Sequence, residues 1–418
     1  MPAACDWKNK EGFQFDLKGL RETYKTCQEP VISPDGAKIA LPVETEDGDW
    51  TLCVNGEPWE KAFERVWYPR FAPGGRLIAL VKADDQWTVA VDGKTWEESF
   101  EFVWNLKLSP DGSHIAAQVK KDDEYTVIVD GKIWDKAFIS MREFCMDDGG
   151  NVAATVQLEP LKEADIVGFV KGTWGVAFNG NVWDDRFVNA YSPLISPDGK
   201  AASVQARVSR LEYTIADGGR AWGERFGCIW EQAYHPEKRS VIAPAMNAGS
   251  WSVVEDGKPF WERRYAQMWQ PVFSPGGKRL AVIASPVFGR WTIAVDDVPW
   301  AATFGDAVLR PVFSRDGGRV AAIVKDNGAW TIAVDGDPWR ETFDMVWDPV
   351  FAPDGGDVLA KVERGGKYTV ARNGTPWRRW FEGLCDPVFG PDGQEVLIRC
   401  IEDGKYSRRI VPISDLAG

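Results

Sequence analysis

Histidine is scarce: among 418 residues only His114 and His235 occur. Cysteine is little used too. Cys5, Cys27, Cys53, Cys145, Cys228, Cys385 and Cys400 make seven, an odd number, scattered and without a CxxC pair. That usage fits a reducing compartment without a disulfide framework. Two distant histidines and no paired cysteines argue against a zinc, haem or iron–sulfur site made by this chain alone, so no cofactor is expected. Basic charge is in deficit: 49 Lys and Arg face 62 Asp and Glu, a net charge of −13. Nucleic acid and anionic lipid both reward basic patches, so neither is an expected partner. No apolar run approaches the ~20 residues of a membrane helix. The opening MPAACDWKNKEGFQFDLKG holds no apolar h-region and no twin arginine, so export is not expected. The motifs G-x-S-x-G, H-E-x-x-H and the P-loop are missing as well.

What the chain does contain is repetition. Hydrophobic residues make up 44%, enough for a globular core. Two anchors recur. One is a turn: SPDG at 33, APGG at 72, SPDG at 109, SPDG at 196, SPGG at 274, SRDG at 314, APDG at 352 and GPDG at 390, with worn copies at Met146 and His235. The other is a decapeptide, WTVAVDGKTW at 87–96, with relatives opening at Trp50, Tyr125, Trp174, Tyr213, Trp251, Trp291, Trp330 and Tyr368. Successive turns are 37 to 40 residues apart, with a single spacing of 50 between 146 and 196.

Each repeat reads as four short strands. In the copy at 343–377, FDMVWDPVFAPDG is a strand closed by a Pro-Asp-Gly turn. DVLAKVER follows, then KYTVARNG, whose Asn-Gly favours a tight hairpin, and TPW opens the fourth strand. Alanine recurs in the second strand, at Ala40, Ala79, Ala116, Ala154, Ala202, Ala243, Ala281, Ala321 and Ala360, where a small residue lets neighbouring sheets approach. The W-x-x-x-F stretch after the fourth strand suits either one helical turn or a bent strand. Four antiparallel strands repeated at ~39 residues give an all-β fold, a β-propeller of WD40-like blades. Ten turns imply ten blades. A single ring is preferred here to two five-bladed rings. The last repeat lacks its Trp-bearing fourth strand, and GFQFDLKG at 12–19 is a spare one. The expected layout is an N-terminal segment, 1–30, that completes the last blade, then propeller repeats over 31–418.

The 22 tryptophans fall mostly at fixed places in the repeat. Trp59, Trp96, Trp134, Trp183, Trp222, Trp261, Trp300, Trp339 and Trp377 mark the fourth strand; Trp67, Trp104, Trp230, Trp269 and Trp347 lead into the first. A residue type repeated at one place in every blade is what inter-blade packing demands, so they are read as architecture. Asp35, Asp111, Asp198, Asp354 and Asp392 are read as turn chemistry, and His114 and His235 as surface hairpin residues. Functional information then sits where the repeat breaks. The largest break is an insertion at about 157–172, within QLEPLKEADIVGFVKGTW, which includes Lys162. Its apolar residues Leu158, Leu161, Ile166, Val167, Phe169 and Val170 are the candidate partner-binding set. Smaller breaks, MNAGSW at 246 and PVFGRW at 286, are expected to expose less.

The P-x-F-S-P-D-G-x-x-x-A unit resembles the WD40-like repeats of the TolB type over nearly the whole chain. The tandem WT-x-x-VDG-x-x-W pattern also resembles the TmcD family, the tryptophan-rich subunits of the Tmc transmembrane redox complex of sulfate-reducing bacteria. That resemblance implies a non-catalytic cytoplasmic accessory subunit, a scaffold in sulfate respiration. It would sit at the inner face of the membrane through its partners, without inserting. The partners it implies are an iron–sulfur protein, a membrane cytochrome b and a multihaem cytochrome c; it supplies no catalytic, cofactor or metal residues. The competing readings are a glycosidase-like propeller enzyme acting in a central funnel and a stand-alone WD40-like adaptor.

Overall fold

The structure, a computed structural model, describes residues 5–7, 12–161 and 163–416. Parts of three expectations lie outside the described residues: residues 1–4 and 8–11 of the N-terminal segment, Lys162 of the insertion, and 417–418. The chain is a ten-bladed β-propeller of ten antiparallel sheets, each with four strand positions. The second blade is representative: Arg65–Phe71, Leu77–Ala83, Gln86–Val91 and Lys94–Thr95, hydrogen-bonded in that order. In four blades the first strand is broken into two short pieces that pair with the same second strand, as Met345–Val346 and Val350–Phe351 do with Val358–Arg364. The chain divides into two compact units. One comprises the chain to Pro160 with Val176–Val182 and Asp403–Arg409; the other comprises Leu161–Gly175, Trp183–Glu402 and the chain from Ile410.

The blades form because their turns are chemically closed. In the first turn, Gly36 N–H donates to the Ser33 carbonyl at 2.8 Å. The Ser33 hydroxyl donates to the Asp35 carboxylate at 2.5 Å, and that carboxylate takes the Ala37 N–H at 3.0 Å. The Ser109–Asp111, Ser196–Asp198 and Ser314–Asp316 pairs repeat the contact. Asp354 and Asp392 accept the N–H of Gly356 and Gln394. The turn carboxylates therefore cap their own loops and do not converge as a ring of free acids. A second clamp was not legible in the repeat. The Asp or Asn of each V-D-G or V-N-G hairpin reaches back to the second strand: Asp92 accepts the Leu77 N–H at 2.9 Å and Asn55 the Ile39 N–H at 2.9 Å. One residue thus takes the left-handed conformation the turn needs and satisfies a strand-end donor.

Blade-to-blade packing explains the small and the large residues together. The nine second-strand alanines are buried. In the first unit Ala40 meets Leu77 and Ala79 of the next blade; in the second unit Ala321 meets Val358 and Ala360. Most fourth-strand tryptophans lie against the hairpin glycine of the following blade. A Cβ on Gly374 would stand 2.9 Å from Trp339 Cγ, and its φ is +87°. Glycine is needed there for the ring's approach as much as for the turn. Trp59, Trp96, Trp134, Trp183 and Trp300 make the same contact. Trp222 and Trp261 depart from it: at Gly257 the nearest atoms belong to Glu224, and the blade after Trp261 has no glycine at that place. The cause at Trp261 is Asp297, which stands where the others have glycine; its carboxylate accepts the N–H of Glu262 and Arg263.

The W-x-x-x-F stretch is extended, not helical. Phe63 and Trp50 exchange two backbone hydrogen bonds of 2.7 and 2.8 Å, and the other nine blades match this except the last. In seven blades a threonine after the opening aromatic holds the stretch down; Thr88 donates to the Glu98 carbonyl at 2.7 Å. This covers an edge strand that is only two residues long. In the last blade that edge carries Phe13–Asp16, antiparallel to Lys405–Pro412 with Phe15 opposite Tyr406. Helix α1, Leu17–Thr23, follows, with Asp16 accepting the Gly19 N–H at 3.1 Å as its N-cap.

Candidate functional site

The insertion leaves Val152–Gln157 and forms helix α2, Ile166–Lys171. Asp165 caps its start, accepting the Gly168 N–H at 2.8 Å. Gly172 ends it at φ +86°, and a Cβ there would lie 2.6 Å from the Phe187 backbone. No other residue permits both the left-handed turn and that approach. Phe169 faces inward, with the Arg207 guanidinium 5.7 Å above its ring. Arg207 also donates to the Arg210 carbonyl at 2.5 Å, so it ties α2 to the neighbouring loop that carries exposed Leu211.

The six residues singled out in the insertion therefore separate. Leu158 packs on the hydrophobic cluster of its own blade, and Phe169 anchors the helix. Ile166, Val167 and Val170 are 74%, 67% and 54% exposed, and Leu161 is exposed beside them. Three β-branched residues on a helix of six are poor helix formers and gain nothing from water. Their exposure is the feature that packing within this chain does not explain.

Two further breaks differ from expectation. The loop at 286 does not expose less: Phe288 is 81% exposed, at the tip between Leu280–Val287 and Arg290–Val295. Of the tryptophans leading into the first strands, Trp269 packs on a core cluster shared with the next blade, but not all of them are inter-blade core. Trp67 and Trp230 are exposed, and each such tryptophan pairs with the opening aromatic of its own blade, as Trp230 does with Trp251 at 5.8 Å and 7°. A register shift turns them outward, between Trp67 and Arg70 and between Trp104 and Lys107. Repetition in sequence does not distinguish these tryptophans from those of the fourth strand.

The isolated titratable groups are structural. His114 Nδ1 lies 2.6 Å from Asp130 within one hairpin. His235 is buried, contrary to a surface reading. Its Nδ1 accepts the N–H of Glu237 and Lys238, and its ring lies 4.9 Å from Phe273. It thereby closes its turn with contacts different from the serine's, which accepts the N–H five residues on, as Ser33 does from Lys38. Burial pushes the Cys145 thiol up to about 12, leaving a thiol without nucleophilic character. Among the described residues no three His, Cys, Asp or Glu side chains group to hold a metal. Among the described residues no helix is long and apolar enough to cross a membrane.

One acid stands out. Asp217 occupies the place of Val91, and Tyr234 that of Phe273, so an apolar contact becomes a polar one. The Tyr234 hydroxyl donates to Asp217 at 2.5 Å. Burial raises the Asp217 carboxyl, and the Tyr234 hydrogen bond offsets this only in part. With the folded pKa above the unfolded one, its contribution is full below the ordinary carboxylate range. It declines as pH rises from there to the raised value, because the unfolded chain ionises first. Asp217→Asn should therefore gain stability relative to wild type between pH 4 and pH 7, read from urea midpoints. A difference independent of pH would contradict this.

No family model and no curated protein matches the chain. Three solved structures are similar to the chain at low identity. The chain is similar to a eukaryotic initiation factor at TM-score 0.47 and 11% identity, covering 82% of this chain and 96% of that one. It is similar to the Dos1 propeller at TM-score 0.34 and 10% identity, covering 94% of each. It is similar to the tricorn protease at TM-score 0.33 and 14% identity, covering 93% of this chain and 42% of that one. The class that the chain's own strand pairing defines is a ten-bladed β-propeller with a helical insertion.

Proposed function

We propose that this chain is a non-catalytic scaffold subunit that works by protein–protein contact, with α2 as its docking element. The observation that carries the reading is the apolar surface of Ile166, Val167 and Val170, presented on a helix braced by Phe169 and Arg207. Burying such side chains against a partner is worth roughly 1.5–3 kcal/mol each, and chemistry of its own is not needed for that role. The WT-x-x-VDG-x-x-W tandem supports a finer version. In it the chain is a cytoplasmic, TmcD-like subunit of a membrane-bound electron-transfer complex, and its partners are an iron–sulfur protein, a membrane cytochrome b and a multihaem cytochrome c.

The test is capture of the tagged full chain from its native membranes in mild detergent, with protein identification and a visible spectrum. Cytochrome bands with an iron–sulfur subunit are the expected result. A colourless chain recovered alone from the soluble fraction would remove the redox-complex version.

A further inference from the structure

In the first unit, the bulged first strands of two successive blades line an open aromatic cavity of about 280 Å³. Trp67, Tyr68, Phe102, Trp104 and Asn105 are its principal walls. Trp67 and Tyr68 are 58% and 52% exposed. They sit at the bulge, where Tyr68 is held at φ +54° and Asn105 of the next blade at φ +50°. Such conformations are costly for residues other than glycine and concentrate at functional sites. Buried Trp87 lies between the two blades, 5.9 Å from Trp67 and 6.0 Å from Phe102. Phe102 stacks on Trp104 at 5.8 Å and 24°. The Asn105 carboxamide is oriented from behind, donating to the fully buried Gln118 at 3.0 Å. Among the described residues neither the Trp67 nor the Trp104 indole N–H has a protein acceptor.

We propose that this cavity binds a proline-rich peptide in the polyproline II conformation. Three properties select that occupant. First, no lining residue is charged, in a chain of which 27% is charged, so the surface it complements is uncharged. Second, the cavity carries two indole N–H donors, of Trp67 and Trp104; a polyproline segment has carbonyl acceptors at every residue and no N–H of its own. Third, the spacing fits. Trp67 and Phe102 flank Trp87, so their rings are at most about 12 Å apart. One polyproline turn is three residues, roughly 9 Å, which sets prolines i and i+3 on the two rings. An oligosaccharide would meet the two indole N–H groups, Asn105 and the Tyr68 hydroxyl, and no charged side chain to hold its many hydroxyls.

The experiment is fluorescence anisotropy of a labelled octaproline peptide titrated with the full chain. Saturable binding below about 1 mM is expected, with no binding of a Gly-Ser peptide of equal length. Trp67→Ala and Trp104→Ala should each weaken binding ~10-fold or more. Trp67→Phe, which keeps a ring and loses the N–H donor, should weaken it ~3-fold or more. Tyr68→Ala, at an exposed position, tests the same wall should a tryptophan variant fail to fold. The proposal is overturned by absence of saturation, by equal binding of the Gly-Ser peptide, or by displacement of octaproline by a neutral oligosaccharide at equal concentration. Undiminished binding by folded Trp67→Ala or Tyr68→Ala overturns it as well.

Discussion

Tyr406→Ala is expected to cost about 3–5 kcal/mol, the range for removing a large aromatic side chain from a core. Tyr406 is the largest fully buried side chain among the described residues. Its ring lies 6.0 Å from Phe13, on the strand that completes the last blade, and its hydroxyl donates to the Gly36 carbonyl at 2.8 Å in the first turn. It therefore joins the two ends of the repeat, and its loss empties a site that the surrounding backbone cannot collapse into. Phe15, opposite it in register, would lose its alignment as well. The measurement is the urea midpoint. Tyr406→Phe serves as the comparison, losing only the hydrogen bond and about 1 kcal/mol. Equal midpoints for Tyr406→Ala and wild type would show that the terminal strand does not secure the fold.

The second large effect concerns partner capture. Changing Ile166, Val167 and Val170 together to glutamine should weaken capture of the partner at least ~100-fold. The three side chains' burial would account for more than the roughly 3 kcal/mol which that factor represents. The urea midpoint should stay within about 0.5 kcal/mol of wild type, because none of the three packs on the chain itself. Capture at wild-type strength would move the docking surface elsewhere, with the Phe288 hairpin tip the next to vary.

Much of the fold was legible because its signals are local. Ser-Pro-Asp-Gly closes on itself within five residues, as Ser33 and Asp35 do, so the turn's chemistry can be read from its letters. Counting those turns counts the blades. Alternation along KYTVAR marks a strand before any partner is known. The second-strand alanines were legible for a similar reason, since a small residue kept in every copy points to one steric requirement.

The candidate sites were less legible, and the reasons differ by residue. The insertion was located by spacing alone, but which of its residues face solvent was not. Leu158 and Phe169 read the same as Ile166 and Val170 in the sequence. The first two are taken up by a blade's cluster and by Arg207, contacts made by residues distant in the chain. Trp67 and Trp59 are likewise equivalent letters in a repeat. Trp59 meets a glycine of the next blade, whereas a bulge turns Trp67 out to solvent.

By itself, then, the sequence determined the fold class, the number of blades and the place of the insertion, because short-range backbone chemistry and periodicity specify strands and turns. Only the tertiary structure decided which aromatic and aliphatic side chains remain exposed, that His235 is buried, and that Asp217 meets Tyr234. Exposure is a property of what a neighbouring blade brings alongside, and no residue carries that information alone.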